Sequence, residues 1–145
     1  MDALAIRPIP PEATHALRHR VLWPSVPLDA QGQAFDAPPS VHLGAFADDI
    51  LVGVLTLVAV EGKVQLRKFA VAPEWQGYGV GGAMLDAAIA YSQKQVVLDA
   101  RREQVRFYQK RGFTVLSPEV FVKRGPGDAG PPVEYVRMGN TTPDA

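Results

Sequence analysis

Between the apolar stretch Leu66-Arg67-Lys68-Phe69-Ala70-Val71 and an alanine-rich run beginning at Ala83, the chain places Gln76-Gly77-Tyr78-Gly79-Val80-Gly81, with Gly82 following. The stretch before reads as a strand, and the run after it has helical spacing. A glycine-rich turn between strand and helix exposes backbone N–H groups at the positive end of the helix dipole. An anion such as a pyrophosphate is held there without side-chain charge. Gln76 through Gly82 are therefore a candidate phosphate cradle whose glycines let the backbone approach closely, and side chains at Gly79 or Gly81 are expected to intrude.

Two common cradles fit poorly. A nucleoside-triphosphate P-loop ends in Gly-Lys-Ser/Thr, and Gly81-Gly82-Ala83 supplies neither the lysine nor the hydroxyl. A dinucleotide fingerprint fits the glycines, and Asp99 falls near the distance of its acidic residue. The segment before the cradle nevertheless lacks a parallel βαβ context: Ile50 to Val60 and Lys63 to Val71 flank Glu61-Gly62 and read as a hairpin.

A second element lies downstream, in Ala100-Arg101-Arg102-Glu103-Gln104-Val105-Arg106-Phe107-Tyr108-Gln109-Lys110-Arg111-Gly112-Phe113. Together the two motifs resemble the GNAT N-acetyltransferase superfamily. The first meets its Gln/Arg-x-x-Gly-x-Gly/Ala signature, and the second is similar to its closing helix with a Phe-Tyr-x-x-x-Gly-Phe ending. The resemblance runs from about Leu4 to Met138. It implies a mixed α/β fold: a single domain over residues 1–140, with a mostly antiparallel central sheet containing a splayed parallel strand pair, flanked by helices. Residues 141–145 are expected to fray.

The implied activity is transfer of an acetyl group from acetyl-CoA to a primary amine of a small molecule or peptide, without metal or covalent enzyme intermediate. The opposing reading is a degenerate domain that binds acyl-CoA as a sensor or interaction module. Composition agrees with a single enzyme domain: 145 residues suffice for a core, and no cysteine is present to form disulfides, thiolate metal sites or a nucleophile. Fifteen basic and fifteen acidic residues give a net charge of zero, which argues against a nucleic-acid partner. The five cations between Arg101 and Arg111 read as a solvated helix face. No secretory signal is visible at Met1 to Arg7, and the longest apolar run, Ile50 to Val60, is far short of the roughly 18 residues that span a membrane. A cytoplasmic protein is expected, and exposed final strands admit a homodimer.

Periodicity gives strands at Leu4–Ile9, Val41–Ala47, Ile50–Val60, Lys63–Val71, Gln95–Ala100, Phe113–Leu116 and Val133–Met138. Helices are expected over Glu12–Leu22, Gly79–Lys94 and Arg102–Arg111, with Gly112 as a C-terminal cap. Ser25 to Ser40 and Gly125 to Pro132 read as loops. Alternation along the strand before the cradle places Leu66, Lys68 and Ala70 on one face and Arg67, Phe69 and Val71 on the other.

The resemblance assigns cofactor binding to the backbone of Phe69, Ala70 and Val71, to Gln76, Gly77, Tyr78, Gly79, Val80, Gly81 and Gly82, and to Arg101, which stands where many relatives have Asn. Tyr108 takes the position of the family's general acid; a phenol is protonated at neutral pH and can donate to a departing thiolate. For amine deprotonation the candidates are His42, Glu61, Glu119 and Glu134. Trp23, Phe35, Asp36 and Phe121 are expected to line the acceptor pocket, an apolar wall with carboxylates.

Overall fold

The computed structural model describes residues 4–24, 36–124 and 131–141. Phe35 lies outside the described residues, as does most of the expected loop before the last strand. Seven strands form one sheet: β1 (Leu4–Ile9), β2 (Val41–Ala47), β3 (Ile50–Val60), β4 (Lys63–Val71), β5 (Val96–Arg101), β6 (Thr114–Lys123) and β7 (Val133–Gly139). Their spatial order is β1-β2-β3-β4-β5-β7-β6. Every neighbouring pair is antiparallel except β4 and β5, as the resemblance implied.

The first four strands occupy the segments that their apolar alternation predicts. Glu61 (φ 49°) and Gly62 (φ 79°) both adopt the left-handed region between β3 and β4, as a two-residue hairpin turn requires. The crossover from β4 to the parallel β5 is made by α2 (Val80–Ser92). α3 (Val105–Gln109) follows β5 after a 3-10 turn at Arg102–Gln104, so the expected helix over Arg102–Arg111 is shorter and begins irregularly.

The two faces of the sheet are covered differently. On one, Leu43, Leu55, Leu66, Leu98 and Met138 pack with Val80, Met84 and Leu85 of α2 and with Tyr108 and Phe113 around α3. On the other, Val54, Ala70 and Ala72 meet Leu17 of a helical segment at residues 11–22. That segment is not the regular amphipathic helix its spacing predicts. A 3-10 turn (Pro11–Thr14) passes into a single α turn, α1 (His15–Leu17), and then into a π-helical stretch (Arg18–Leu22) closed by Trp23 N–H to the Arg18 carbonyl at 3.2 Å.

β6 is longer than expected. The strand expected over Phe113–Leu116 stops short of Pro118, a residue that cannot donate to a ladder. The pairing with β7 instead slips between Val115 and Val120, lets the proline through and resumes to Lys123. Among the described residues no helix is long and apolar enough to cross a membrane.

Candidate active site

β4 and β5 pair at only three positions, Val64 with Val96, Gln65 with Val97 and Leu66 with Leu98. The separation beyond them has a local cause in β4. On its other side Arg67 pairs with Thr56 and Ala70 with Val54, so three steps along β4 match two along β3. The extra residue is a bulge containing Lys68, whose φ of 53° is left-handed. A bulge bends its strand and flips the alternation after it. Phe69 and Val71 accordingly pack toward the α2 face with Leu66, and Ala70 packs on the opposite face. The even alternation expected from Leu66 to Val71 is thus corrected.

β4 leads into a 3-10 turn (Pro73–Trp75), after which Gln76 Nε2 donates to the Val71 carbonyl at 3.0 Å and ties the loop to the strand end. Gly79 is the N-cap of α2 at φ 84°, with no side-chain cap, and the Ala83 N–H to Gly79 carbonyl bond (3.1 Å) opens the helix ladder. The amides preceding Ala83 in the first turn thus have no intrahelical acceptor, and no carboxylate sits in that turn. This is the arrangement an anion such as pyrophosphate fits. A Cβ at Gly79 would meet no protein atom within 4 Å, so glycine is required there by the backbone angle rather than by crowding. A Cβ at Gly81 would make ordinary contact with Phe107, whereas at Gly82 it would collide with the Arg111 guanidinium. Arg111 lies across the helix there and donates to Asp86 at 2.8 Å.

The parted strands and the helix start open one cleft of about 770 Å³. Phe69, Ala70, Val71, Gln76, Gly77, Gly79, Gly81, Gly82 and Arg101 line it. Tyr78 instead faces solvent beside Trp75, with ring centroids 5.8 Å apart, and Val80 is core, so of the predicted cofactor residues these two bring no side chain to the cleft. Tyr108 lines the cleft from α3, set edge-on against Phe107 at 5.0 Å and Phe113 at 5.8 Å. Burial pushes its phenol up to about 12, with the Arg101 charge pulling the other way.

Residues 20–125 match the acetyltransferase (GNAT) domain family. The chain belongs to it. A curated relative, the spermidine N(1)-acetyltransferase of Thermoplasma acidophilum, is 32% identical over 82 residues, covering 52% of this chain. The chain spans about half the length of that relative, 51%. Among solved structures, an acyl-CoA N-acyltransferase from Pseudomonas aeruginosa superposes with a TM-score of 0.75 at 20% identity, over 96% of this chain and 100% of that one. A GNAT family acetyltransferase from Elizabethkingia anophelis, solved with acetyl-CoA bound, superposes with a TM-score of 0.69 at 19% identity, over 97% and 99%. At these identities the structural likeness establishes the fold. The seven-stranded sheet with its single parallel pair is the GNAT fold.

The opposite end of this GNAT cleft is built from side chains on the face away from α2. Trp23, delivered by the π turn, lines it with Val21 and Leu22. Asp36 is buried rather than presented as an open carboxylate. It accepts from Arg18 Nη1 at 2.8 Å, His15 Nε2 at 2.9 Å and Lys68 Nζ at 3.4 Å. Burial pushes the Asp36 carboxyl up, but the bonds from His15 and Arg18 and the charges of Arg18 and Lys68 outweigh it and hold it below the usual range. His42 belongs to the same cluster: Nδ1 accepts from Thr56 Oγ1 at 2.8 Å and Nε2 donates to the Asp36 carbonyl at 2.9 Å, an orientation assigned by the network. His42 is buried there and lines no part of the cleft.

The other expected bases are also elsewhere. Glu61 is exposed in the β3–β4 turn, Glu119 is exposed on β6, and Glu134 is exposed and paired with Arg102 at 3.2 Å. Tyr135, the neighbour of Glu134, is the β7 residue that reaches the cleft. Phe121 stacks on Tyr135, with centroids 6.1 Å apart and planes at 25°, and so backs the lining without forming it. Arg67, Lys68, Asp99 and Lys123 also line the cleft, although none of them was among the candidate site residues. Asp99 accepts from Lys123 at 3.0 Å and from Arg137 at 2.9 Å. Burial pushes the Asp99 carboxyl up, and those two cations hold it below its usual range nonetheless. Among the described residues no three His, Asp or Glu side chains converge as a metal set would require.

Proposed function

We propose that this GNAT protein transfers an acetyl group from acetyl-CoA to a primary amine of a small molecule or peptide, by direct attack with both substrates bound. The observation that carries the reading is the meeting, in one cleft, of a strand pair that parts after three residue pairs, an uncapped helix start and a buried phenol. Acetyl-CoA supplies an activated acyl group: its carbon–sulfur bond breaks as the carbon–nitrogen bond forms, the amine loses a proton and the sulfur gains one.

The chain's residues have distinct tasks. Amides from Gln76 to Gly82 hold the pyrophosphate, and the backbone from Phe69 to Val71 aligns the pantetheine as an added strand. An amide near Phe69 donates to the thioester oxygen as charge builds on it. Arg101 brings positive charge beside the phenol. Tyr108 stays protonated at all ordinary pH. Because burial raises it to about 12, complete transfer to a thiolate whose conjugate acid lies near about 8.5 is uphill, so Tyr108 serves as hydrogen-bond donor to the departing sulfur. The amine gives its proton to water, since the one carboxylate among the described residues that line the cleft, Asp99, is already held by two cations. In this reading His42 and Glu134 take no part in proton transfer.

The relative named for spermidine makes a polyamine one member of any acceptor panel, beside amino acids, aromatic amines and peptides. The test follows CoA release by thiol titration and identifies the acetylated product by mass. Turnover with at least one amine is expected. Acetyl-CoA binding without CoA release for any amine would leave an acyl-CoA-binding module instead.

A further inference from the structure

Four non-glycine residues among those described have a left-handed φ, and three of them, Asp48, Glu61 and Gln93, lie in turns or at the end of α2. Lys68 alone lies within a strand. That conformation is unfavourable for a bulky residue and persists only where its surroundings hold it. Part of the hold here is electrostatic. Lys68 turns its ammonium inward, where the side chain is 11% exposed, and meets Asp36 Oδ1 at 3.4 Å. Burial and the Arg18 charge push the Lys68 pKa down, and Asp36 works against both. Asp36 stands just before β2, where His42 donates to its backbone carbonyl at 2.9 Å. Its carboxylate also accepts from Arg18, the first residue of the π-helical stretch that brings Val21, Leu22 and Trp23 to the cleft. One buried carboxylate therefore ties the β4 bulge to the wall at the acceptor end.

The bulge decides where the next amide points. Phe69 is in register with no residue of β3 or β5, because the pairing with β5 ends at Leu66 and the pairing with β3 passes from Arg67 to Ala70. Its backbone direction follows from the Lys68 angle. We propose that Asp36 is a positioning residue for acyl transfer: through Lys68 it holds the β4 bulge, and with it the Phe69 amide, against the thioester oxygen. This rests on the acetyltransferase reading above. Asp36 is not among the residues that line the cleft, so it acts through its partners. Its pair with Arg18 fixes the wall on which the acceptor lies, and a single carboxylate thus sets amine and thioester at a working distance from each other.

The test follows turnover of whichever amine of the panel above is acetylated fastest. Lys68→Met should lower kcat about tenfold or more, while the Kd of CoA, set at the glycine amides, and the acceptor KM stay within about threefold of wild type. Lys68→Gly relieves the backbone angle but lacks the ammonium, and kcat should fall as it does in Lys68→Met. Asp36→Asn should lower kcat likewise and also raise the acceptor KM, since Arg18 loses its ion pair; where that variant does not fold, the two Lys68 variants decide. In the labelled protein the Phe69 amide should shift further on saturation with acetyl-CoA than with CoA, because only the thioester carries the carbonyl it donates to. Lys68→Met should abolish that difference and leave the shifts of Gln76 to Gly82 in place. Wild-type kcat in Lys68→Met or in Lys68→Gly overturns the proposal. So does a loss of kcat matched by an equal loss of CoA affinity, the mark of a merely structural role. CoA binding with no turnover of any amine is a different failure, which removes the acetyltransferase reading together with this one.

Discussion

The half of the cleft beside α2 is consecutive backbone, from the β4 bulge to the first turn of the helix, whereas the half on the opposite face is side chains drawn from residues 23, 67, 68, 99, 123 and 135. In the proposed reading the first recognises a ligand by peptide dipoles, which any sequence with the right glycines supplies. The second offers charged and aromatic side chains, and its members fall into place only when four strands and a helical segment meet. A GNAT fold can therefore keep one cofactor while its acceptor changes, since the two halves share no side chain except those at the strand divergence itself.

Mutations separate the halves most sharply at the cradle. Gly79→Asp should weaken CoA binding by roughly 10³-fold by setting a like charge against the pyrophosphate, whereas Gly79→Asn, of the same shape and tolerant of the left-handed angle, should retain much more. Equal affinities for the two variants by calorimetry would contradict the dipolar account of that half.

On the other face the largest expected effect is on stability. Arg18→Met strips the buried Asp36 of its shortest ion pair and Thr56 of a donor, and should destabilise by roughly 3–5 kcal/mol in urea unfolding, with CoA affinity kept wherever the protein remains folded. Tyr108→Phe should lower kcat about 10²-fold and leave CoA affinity intact, because only the donor is lost. The same tyrosine gives a pH signature. Its folded value of about 12 lies above the unfolded value near about 10, so its contribution is complete below about pH 10 and is lost as pH rises toward 12. Wild type should lose roughly 2 kcal/mol across that window relative to Tyr108→Phe, read from denaturation at a series of pH values. The smallest effect is at Glu134. Its pair with Arg102 is exposed on both sides and outside the cleft, so Glu134→Gln should leave acceptor KM and melting temperature unchanged within error.

The same contrast explains what was legible in the sequence. The cradle, the hairpins and Tyr108 are local patterns: glycines at fixed offsets, alternation within one strand, and an aromatic pair before a capping glycine. Arg67 and Lys68 were missed because a bulge, invisible to a period-two reading, exchanges the faces after it. Lys123 was missed because the predicted strand stopped at Leu116, although the ladder with β7 resumes beyond Pro118. Asp99 was noticed only for its distance from the glycines and is instead an ion-pair centre. Tyr135 was within reach. Val136 and Met138 are the core members of β7, and alternation puts Glu134 with them and Tyr135 on the opposite face.

The central claim is that CoA lies along β4 and over the start of α2, and amide-resolved titration of the labelled protein with CoA tests it most directly. The account predicts that the amides of Phe69 to Val71 and of Gln76 to Gly82 shift together along one saturable curve, with those around Asp36 and His42 little moved. Shifts confined to the Asp36 network, with the glycine amides unchanged at saturation, would contradict it.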